Sequence, residues 1–449
     1  MDRRYFISTG GVLLAAASPM AWADDKRKTA RTLSTTPGTT TTTTPAVAAA
    51  ATLKRVIVIG GGMAGATVAK YLRLWGSGIA VTLIERETSY VSNIMSSLVL
   101  SGQRTMSSLT YNYSKLTSKY GVTVVKGEVT EIATAQTQVE VKLANGTILS
   151  ADRIVVAPGI DFDAVPGLGN STRMPHAWKA GPQTTSLASQ LANLVPGQNV
   201  ILTIPKAPYR CPPGPYERAC LIGDWLKVKK PGSKLTVLDA NDKILVEEDN
   251  FKKAFAMHGI TYVSKAGILN VVPADTGIMT VTTNEPTPDG LNVTDHKAHV
   301  VNLIPPQKAG QLVADAGLIP TGGRFAAVNP LTYESTIKPK IHVIGDAADT
   351  GQPKAGHIAN QEAKVCADAI VRAFAGLPPD NAPVTNSACY STITMTQASW
   401  LTAVYQYDSV GKKMALATVP GVAASVGWSK DNFDQMNTWF KALMADSFA

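Results

Sequence analysis

Residues 55–65 read RVIVIGGGMAG, and this stretch decides the fold that the sequence predicts. Its Val and Ile run is typical of a buried parallel strand, and helix-forming residues 66–75 follow its glycines. Gly60, Gly62 and Gly65 allow a tight turn, close approach of a pyrophosphate and packing of the helix on the strand. The amide groups at the start of such a helix bind phosphate. The stretch therefore predicts a strand, turn and helix that bind a dinucleotide.

The strand after this helix supports the same interpretation. Residues 80–84 read AVTLI and are followed by Glu85, which lies 20 residues after Gly65. A carboxylate at that spacing accepts the ribose hydroxyls of a dinucleotide. A GxGxxG pattern is weak evidence by itself, but the strand, the helix and this acidic residue together make it specific.

Two later segments indicate which dinucleotide binds. Residues 151–159 read ADRIVVAPG, residues 340–347 read KIHVIGDA, and each is a strand that closes in a turn. Both resemble the later fingerprints of flavoprotein reductases with two dinucleotide folds, in which the Asp of Gly-Asp holds the ribityl and phosphate part of FAD. The resemblance implies that FAD is the first cofactor.

The chain lacks the second glycine motif with which such reductases usually bind NAD(P)H. The corresponding strand, residues 199–204, runs into residues 205–210, PKAPYR. This turn has no glycine, and its prolines remove amide donors that a pyrophosphate needs. We therefore expect no NAD(P)H binding in the usual manner, and the flavin must exchange electrons with something else.

Length and composition restrict the class of protein. The 449 residues are 45% hydrophobic and 17% charged, which predicts two or three domains with large cores and excludes a disordered tail protein or a fibre. The net charge of +9 is spread along the chain, and aromatic residues make up only 6%, so we expect no nucleic-acid binding. The basic surface fits either an acidic partner or plain solubility.

The four cysteines form no CxxC pair, which excludes a four-thiolate zinc ribbon and a covalently attached c-type haem built from this chain alone. Cys211 opens the proline-rich segment 211–218, CPPGPYER. A rigid loop of this kind suits a positioned thiol beside a carboxylate. Cys220 and Cys366 lie in apolar or helix-like surroundings and are predicted to be buried small hydrophobic residues. A disulfide between Cys211 and Cys220 stays an alternative.

The N-terminus has the pattern of an export signal. Arg3 and Arg4 precede a short apolar run and an A-x-A cleavage site, so residues 1–23 are predicted to be a twin-arginine signal peptide. The Thr-rich residues 24–52 lack the apolar side chains needed for a core and are predicted to be a flexible linker. No later apolar run is long enough to span a membrane, so we expect a soluble exported protein.

Nearly the whole chain after the linker resembles the flavoprotein subunit of flavocytochrome c sulfide dehydrogenase. The matching stretches are residues 56–65, 175–181, 209–219, 301–307, 341–347 and 353–356. Members of this family carry a redox-active disulfide next to the flavin, with one cysteine from a Cys-Pro-Pro-Gly-Pro-Tyr-Glu segment and the other from an Asn-x-x-Cys-Tyr-Ser-like segment. The resemblance therefore implies that Cys211 pairs with Cys389, which lies in residues 386–391, NSACYS.

The resemblance also implies a reaction. Hydrosulfide would attack the disulfide of Cys211 and Cys389, giving a cysteine persulfide and a thiolate that passes two electrons to FAD. Glu217 matches the family's candidate proton-handling carboxylate, and a structural ion pair with Arg210 or Arg218 is the alternative for this residue.

Two positions concern the flavin itself. Lys354 matches a lysine in the family's Pro-Lys-x-Gly segment and is assigned to stabilising charge on the reduced flavin, with a solvated loop lysine as the alternative. Many relatives attach FAD through a cysteine at the position of Asn93, so we expect noncovalent FAD here. The residues predicted to contact the cofactor are Gly60, Gly62, Ala64, Gly65, Glu85, Arg86, Asn93, Ala157, Pro158, Gly159, Gly345, Asp346 and Lys354.

The implied electron acceptor is a c-type cytochrome on a separate chain, because this chain has no CxxCH motif to hold haem c. The expected substrate is sulfide or polysulfide, and the expected location is the periplasm, reached by export of the folded protein. Two alternatives stay open: an enzyme like sulfide:quinone oxidoreductase, and a noncatalytic flavoprotein partner in a sulfur-oxidation system.

The six histidines show no convincing metal-binding pattern. His296 and His299 form an HxxH pair, but no third ligand is nearby in the sequence, so no metal site is expected. His176 and His357 could line a cofactor or partner surface, but we expect them to be structural histidines with satisfied hydrogen bonds.

The expected fold class is α/β, with two Rossmann-like domains of the glutathione reductase type and a C-terminal α+β interface domain. The predicted segments are an FAD-binding domain at 53–166 and 307–376, a second dinucleotide-like domain without an NAD motif at 167–306, and the C-terminal domain at 377–449. The aromatic residues near the end of the chain, from Trp428 to Phe448, are expected to serve the interface.

Overall fold

The computed structural model describes residues 53–135, 137–287, 290–419 and 421–449. The predicted signal peptide and linker, residues 1–52, lie outside the described residues. No helix within the described part of the chain is long and apolar enough to cross a membrane.

The helices of this part are α1 (Met63–Trp75), α2 (Ser97–Leu100), α3 (Ser114–Tyr120), α4 (Pro182–Ala192), α5 (Gly214–Lys229), α6 (Glu248–His258), α7 (Gln311–Asp315), α8 (Gly356–Phe374) and α9 (Lys430–Phe448). The strands are β1 (Lys54–Ile59), β2 (Ile79–Glu85), β3 (Tyr90–Val91), β4 (Thr110–Tyr111), β5 (Thr123–Lys126), β6 (Val129–Ala135), β7 (Gln138–Leu143), β8 (Ile148–Ala151), β9 (Arg153–Val156), β10 (Ile160–Phe162), β11 (Val200–Ile204), β12 (Leu235–Asp239), β13 (Thr261–Val263), β14 (Gly267–Val272), β15 (Met279–Thr287), β16 (Gly290–Ala298), β17 (Val300–Asn302), β18 (Gln307–Ala309), β19 (Ala326–Ala327), β20 (Ile341–Val343), β21 (Ala348–Asp349), β22 (Val384–Thr392), β23 (Ala398–Asp408), β24 (Lys413–Leu416) and β25 (Val422–Ala424).

A parallel sheet in the order β20–β9–β1–β2–β5 carries the first glycine motif. Its centre is β1, which is buried from Val56 to Ile59 and pairs in parallel with β2 and β9. Branched apolar side chains pack well on both faces of such a strand, which explains its central position. Helix α1 follows directly and packs against α8. The strand, turn and helix predicted from residues 55–75 are confirmed.

A second parallel sheet has the order β13–β12–β11–β17. Helix α5 follows β11 and packs against α6. Two three-stranded antiparallel sheets, β6–β7–β8 and β14–β15–β16, and three two-stranded sheets, β3–β4, β10–β18 and β19–β21, are also present. The two parallel sheets, each with its own helices, confirm the α/β class with two Rossmann-like units. The segment boundaries given above stay predictions.

The C-terminal part of the chain is an antiparallel sheet followed by a helix, which confirms its α+β character. Strands β22, β23 and β24 are neighbours in that order, and β25 also pairs with β23. Helix α9 packs against α1 and β23. Phe440 and Phe448 are buried, and the Phe448 ring stacks on Tyr90 with centroids 5.1 Å apart. These two aromatic side chains therefore serve the core of the chain itself rather than an interface.

Candidate active site

A cavity of about 730 Å³ brings most of the predicted site residues together. It lies where β1, β9 and β20 end and where β11 leads into α5, and a cavity of this volume is large enough for a cofactor. The predicted residues on its wall are Gly60, Gly62, Ala64, Glu85, Arg86, Asn93, Ala157, Pro158, Gly159, Cys211, Glu217, Gly345, Asp346 and Cys389. Of the predicted residues, Gly65 and Lys354 do not line it.

The glycine-rich turn after β1 is shaped by close backbone contacts. Gly60 has a φ of +96°, and a Cβ added at Gly65 would lie 1.8 Å from the carbonyl oxygen of Gly60. Gly65 therefore lets α1 approach the turn. At Gly62 the nearest atom to an added Cβ is 3.9 Å away, so this residue leaves space beside the N-terminus of α1. The amide groups of this helix end face the cavity wall and suit a phosphate.

Glu85 lies directly beside the glycine turn. Its carboxylate accepts hydrogen bonds from the N–H of Gly61 at 2.5 Å and from the N–H of Glu87 at 2.9 Å. Because Glu85 is the last residue of β2, the neighbour of β1 in the sheet, its carboxylate is brought to the same edge as the turn. This is the position expected for a group that binds ribose hydroxyls.

Asp346 carries a buried oxygen atom without a partner. Its Oδ2 lies 3.8 Å from Nη1 of Arg210, whereas its Oδ1 makes no hydrogen bond to any described residue. Burial raises the pKa of this carboxyl, and Arg210 and Lys354 oppose the rise. A buried acceptor of this kind is costly unless a ligand supplies a donor. Together with the glycine turn and Glu85, it fits the ribityl, phosphate and ribose groups of FAD.

Cys211 lies in a strained turn between β11 and α5. Its φ of +60° falls in the left-handed region, which residues other than glycine seldom adopt. Its N–H donates to the carbonyl oxygen of Lys354 at 2.6 Å, and its own carbonyl accepts from the N–H of Gly214 at 2.8 Å. Burial raises the pKa of this thiol well above its usual value, and Arg210 and the Gly214 amide oppose the rise. The backbone thus holds the thiol at the cavity wall, beside the start of α5.

Cys389 reaches the same cavity from the middle of β22. Burial raises the pKa of its thiol to about 12, a hydrogen bond with Ser387 opposes the rise, and the charges of Glu217 and Glu247 add to it. A charge on Cys389 also raises the pKa of Cys211. The structure therefore places the two thiols close enough to influence each other.

The remaining cysteines do not reach the cavity. Cys220 in α5 and Cys366 in α8 are fully buried, which confirms their prediction as buried small residues. All four thiols are free in the structure. Because Cys211 and Cys389 alone of the four line the cavity, the geometry favours their pairing over a bond between Cys211 and Cys220.

Glu217 faces the cavity from the first turn of α5. Burial raises the pKa of its carboxyl from 4.5 to about 8, with Arg218 opposing and Glu247 adding to the shift. Arg210 pairs instead with Asp346, and Arg218 donates to the carbonyl oxygen of Ala177 at 2.9 Å. Among the described residues no ion pair within 4 Å joins Glu217 to either arginine, although the charge of Arg218 acts on its carboxyl.

Lys354 is buried and does not present its ammonium group to the cavity. Its Nζ donates to the carbonyl oxygen of Ala348 at 2.7 Å and lies 3.6 Å from the centroid of the Phe325 ring. The alternative of a solvated loop lysine is therefore wrong. The direct link from Lys354 to the site is its backbone carbonyl, which accepts the hydrogen bond from Cys211.

Asn93 and His357 use their side chains to hold neighbouring backbone. Oδ1 of Asn93 accepts from the N–H of Ala180 at 2.7 Å, and Nδ1 of His357 accepts from the N–H of Ala388 at 2.9 Å. Burial lowers the pKa of His357 to about 4, so this imidazole is neutral at pH 7. Both residues line the cavity and also fix adjoining segments of its wall.

The two histidines of the HxxH pair make separate contacts, His296 with Glu285 and His299 with the N–H of Asn199. Nε2 of His296 lies 2.7 Å from a carboxylate oxygen of Glu285 on the neighbouring strand. No group of three or more His, Cys, Asp or Glu residues suited to a metal ion occurs among the described residues.

Sequence reasoning missed several residues of the cavity wall, including Arg210 and Trp178. Arg210 connects the cysteine turn with Asp346, and its position directly before Cys211 is the signal that could have indicated a role. Trp178 has a buried Nε1 without a hydrogen-bond partner among the described residues, and its ring lies 4.6 Å from the Arg218 guanidinium. Trp178 belongs to residues 175–181, a stretch that resembles the family, but nothing in that pattern indicates that its side chain faces the cavity.

Solved structures with a similar fold come from several flavoprotein classes. The sulfide:quinone oxidoreductase of Aquifex aeolicus is 18% identical, with a TM-score of 0.70 over 88% of this chain and 91% of that chain. The covalent putidaredoxin reductase–putidaredoxin complex gives 16% identity and a TM-score of 0.61 over 88% and 93%. A NAD-dependent persulfide reductase from A. fulgidus gives 15% and 0.57 over 86% and 77%. At these identities the similarity concerns the fold.

Family models assign the chain more closely. The pyridine nucleotide-disulphide oxidoreductase model matches residues 54–193. The model for the central part of the sulfide dehydrogenase [flavocytochrome c] flavoprotein chain matches residues 184–305, and the model for flavocytochrome c sulphide dehydrogenase, flavin-binding, matches residues 381–448. Together they cover the cavity turns after β1, β9 and β11 and the strand of Cys389, but not the turn of Gly345 and Asp346. The chain therefore belongs to the flavoprotein family of flavocytochrome c sulfide dehydrogenase, FAD-dependent oxidoreductases that act on sulfide.

Proposed function

We propose that Cys211 and Cys389 form a redox-active disulfide that hydrosulfide reduces, and that the electrons leave through FAD to a c-type cytochrome on a separate chain. The observation that carries this proposal is the shared cavity. Two cysteines from distant parts of the sequence line the same wall as the glycine turn and Asp346. A cofactor held by those turns would therefore lie in the same cavity as both sulfur atoms.

The first chemical step would be an exchange at the disulfide. Hydrosulfide attacks one sulfur of the disulfide, a new sulfur–sulfur bond forms there, and the bond between Cys211 and Cys389 breaks, leaving a persulfide on one cysteine and a thiolate on the other. Burial raises the pKa of both thiols; Arg210 and the Gly214 amide oppose the rise at Cys211, and a hydrogen bond with Ser387 opposes it at Cys389.

The later steps restore the disulfide. A second hydrosulfide ion takes the outer sulfur of the persulfide and leaves as hydrogen disulfide, so that both cysteines are reduced. Bound FAD supplies the oxidation that turns this pair back into a disulfide, and it takes up two electrons. Glu217, whose pKa is raised to about 8, is placed to hold or release the proton of the Cys211 and Cys389 sulfurs near neutral pH.

The turn after β11 argues against NAD(P)H as the electron donor. Residues 205–213 contain prolines and Cys211 where a dinucleotide-binding turn has glycines, so the amide donors for a second pyrophosphate are missing. Sulfide reaching the disulfide from the cavity is then the source of electrons.

The partner and the location rest on sequence patterns. The chain has no CxxCH motif, so a haem c acceptor requires another polypeptide, and the twin-arginine pattern in residues 1–23 supports export to the periplasm. Asn93 stands where many relatives have the flavin-linking cysteine, which supports noncovalent FAD. After acid precipitation we expect the yellow chromophore in the supernatant, and yellow colour retained in the pellet would contradict noncovalent binding.

The experiment that tests the function is a sulfide titration of the purified flavoprotein. Sulfide should bleach the visible band of the oxidised flavin, and Cys211→Ser or Cys389→Ser should slow this bleaching by at least about a thousandfold, because the disulfide route is removed. Cys220→Ala is the matched control, since this thiol is buried away from the cavity. Equal bleaching in the Cys211→Ser variant would overturn the proposal.

A second candidate function is sulfide oxidation with a quinone as acceptor, favoured by the fold similarity to the Aquifex aeolicus enzyme. The two candidates differ in how the reduced flavin is reoxidised. Rapid reoxidation by a soluble c-type cytochrome but not by a water-soluble quinone selects the first candidate, and the opposite result selects the second.

A further inference from the structure

Glu247 is a carboxylate outside the chemistry described above, and it occupies an unusual backbone position. It precedes α6 with a φ of +49° and a ψ of +37°, in the left-handed region. A residue other than glycine keeps such a conformation only where its surroundings hold it. Its side chain accepts a hydrogen bond from Nδ2 of Asn250 at 3.5 Å and makes two shorter contacts to the C-terminal sheet.

Those contacts bridge two neighbouring strands. Oε1 of Glu247 accepts a hydrogen bond from the Ser391 hydroxyl at 2.8 Å, and Oε2 accepts from the Ser399 hydroxyl at 2.5 Å. Ser391 on β22 and Ser399 on β23 are directly paired in the antiparallel sheet, and both are fully buried. One carboxylate therefore ties both strands to the start of α6.

The tie acts close to Cys389. Ser391 lies two residues after Cys389 on β22, and residues two apart point to the same face of a strand. Helix α6 packs against α5, whose N-terminus follows Cys211, and α5 also contacts β22. Glu247 thus joins the strand of Cys389 to the start of α6, which packs on the helix that follows Cys211.

Two further contacts hold the end of the same strand to the same helices. Nε2 of His258 in α6 lies 2.7 Å from the carbonyl oxygen of Ile393, and Oδ2 of Asp224 in α5 accepts from the N–H of Met395 at 2.8 Å. Glu247 is the contact nearest to Cys389 and the one of these three that reaches both strands.

We propose that Glu247 is a positioning residue for the redox reaction, whose carboxylate fixes the distance and orientation of Cys389 relative to Cys211 through Ser391 and Ser399. The inference rests on the proposed redox disulfide. Two thiols held in bonding geometry form a disulfide more readily than two thiols that move independently. Loss of the bridge should therefore favour the reduced dithiol.

The charge of Glu247 acts in the same direction. It adds to the rise in the pKa of Cys389, so it disfavours a thiolate at that sulfur. Replacing the carboxylate by an amide would both loosen the strand and ease the formation of the thiolate. Both changes shift the equilibrium from the disulfide towards the reduced pair.

The test is the thiol–disulfide equilibrium of the flavin-loaded protein in glutathione buffers of varied ratio, read by alkylation of free thiols and gel shift. With Cys220 and Cys366 replaced by Ala as background, we expect Glu247→Gln to lower the equilibrium constant for disulfide formation at least about tenfold, or about 30 mV for a two-electron couple. The double variant Ser391→Ala, Ser399→Ala removes the same two hydrogen bonds while the carboxylate remains, and should shift the constant in the same direction.

Glu248→Gln is the matched control. It removes the same charge one residue further on, but that carboxylate pairs with Lys243 and Lys252 rather than with the sheet, so the constant should stay within twofold. Flavin content and melting temperature report whether each variant is folded. If Glu247→Gln fails to fold, the serine variant decides the question.

The outcomes separate the two proposals. If the parent protein never forms a bond between Cys211 and Cys389, the proposed function fails, and the positioning role fails with it. If the parent forms the bond but the Glu247 and serine variants keep its equilibrium constant within twofold, the positioning role alone is overturned. A tenfold shift in Glu248→Gln as well would also overturn it, because a general charge effect would then explain the result.

Discussion

Two turns of the molecule occupy equivalent places in its two parallel sheets and do different work. Residues 60–62 connect β1 to α1, and residues 205–213 connect β11 to α5. Each turn leaves a central, buried parallel strand and leads into a helix whose first residues line the cavity. The first turn is made of glycines, and the second has no glycine but contains four prolines and Cys211.

The difference shows that topology places a turn at the cavity and that the residues of the turn decide its chemistry. The glycines leave backbone amides and space, which a phosphate requires. The prolines and the strained Cys211 fill that space and present a thiol instead. Arg210 links the two turns, because its guanidinium, in the second turn, pairs with Asp346, which lies near the first.

The largest expected effect comes from adding a methyl group at Gly65, in the helix that follows the first turn. Gly65→Ala would place a Cβ 1.8 Å from the carbonyl oxygen of Gly60. Both atoms are fixed by the backbone of the turn, so the contact cannot be relieved by moving a side chain. We expect a loss of about 3 kcal/mol in the free energy of unfolding and at least a hundredfold weaker FAD binding. Urea unfolding and flavin titration measure the two quantities.

Gly214→Ala tests the same change in the second turn. Its Cβ would meet the Sγ of Cys211 and the Trp178 ring, each at 2.9 Å, and side chains move more easily than backbone. FAD binding should therefore stay within about threefold, while sulfide-dependent bleaching slows as the thiol is displaced. Equal loss of FAD binding in both variants would contradict the division of work between the turns.

A second prediction concerns Glu217, the carboxyl group that follows the second turn. Because the pKa of Glu217 is raised from 4.5 to about 8, the folded protein keeps this proton while the unfolded chain releases it. Stability contributed by this group is therefore present below about pH 4.5 and is lost as the pH rises towards 8. Glu217→Gln should become more stable than the parent across this interval, by about 1 to 2 kcal/mol at pH 8, since partial solvation reduces the full effect.

Denaturant unfolding at several pH values checks this prediction. Glu248→Gln is a suitable control, because its partner Lys252 lowers the pKa of Glu248 and no gain in stability is expected between pH 4.5 and 8. A constant difference between Glu217→Gln and the parent at all pH values would show that Glu217 is ionised in the folded protein.

The first turn could be predicted from the sequence because its signals are local. The run from Val56 to Gly65, the helix after it and the spacing to Glu85 all lie within one unit of structure. The burial of Cys220 followed in the same way from its apolar neighbours. Local patterns of this kind determine backbone conformation and burial without knowledge of the rest of the fold.

The contacts around the second turn could not be predicted in this way. Arg210 meets Asp346, Glu247 meets Ser391, and Lys354 is buried beneath the Cys211 turn, and each of these contacts joins residues from separate elements. Which charges meet across elements depends on how sheets and helices pack. The pairing of Cys211 with Cys389 was likewise available only through the family resemblance.

The smallest expected effect on stability comes from the backbone strain at Cys211. Because its φ is +60°, glycine suits this position better than alanine, and we expect Cys211→Gly to be about 1 kcal/mol more stable than Cys211→Ala. Cys389 lies in a regular strand, where glycine weakens the structure, so Cys389→Gly should be about 1 kcal/mol less stable than Cys389→Ala. All four variants lack one of the two thiols proposed to be redox-active, so differences in unfolding within each pair report backbone conformation alone. If glycine were less stabilising than alanine at both positions, the second turn would not be strained. The two turns would then differ in their residues but not in backbone strain.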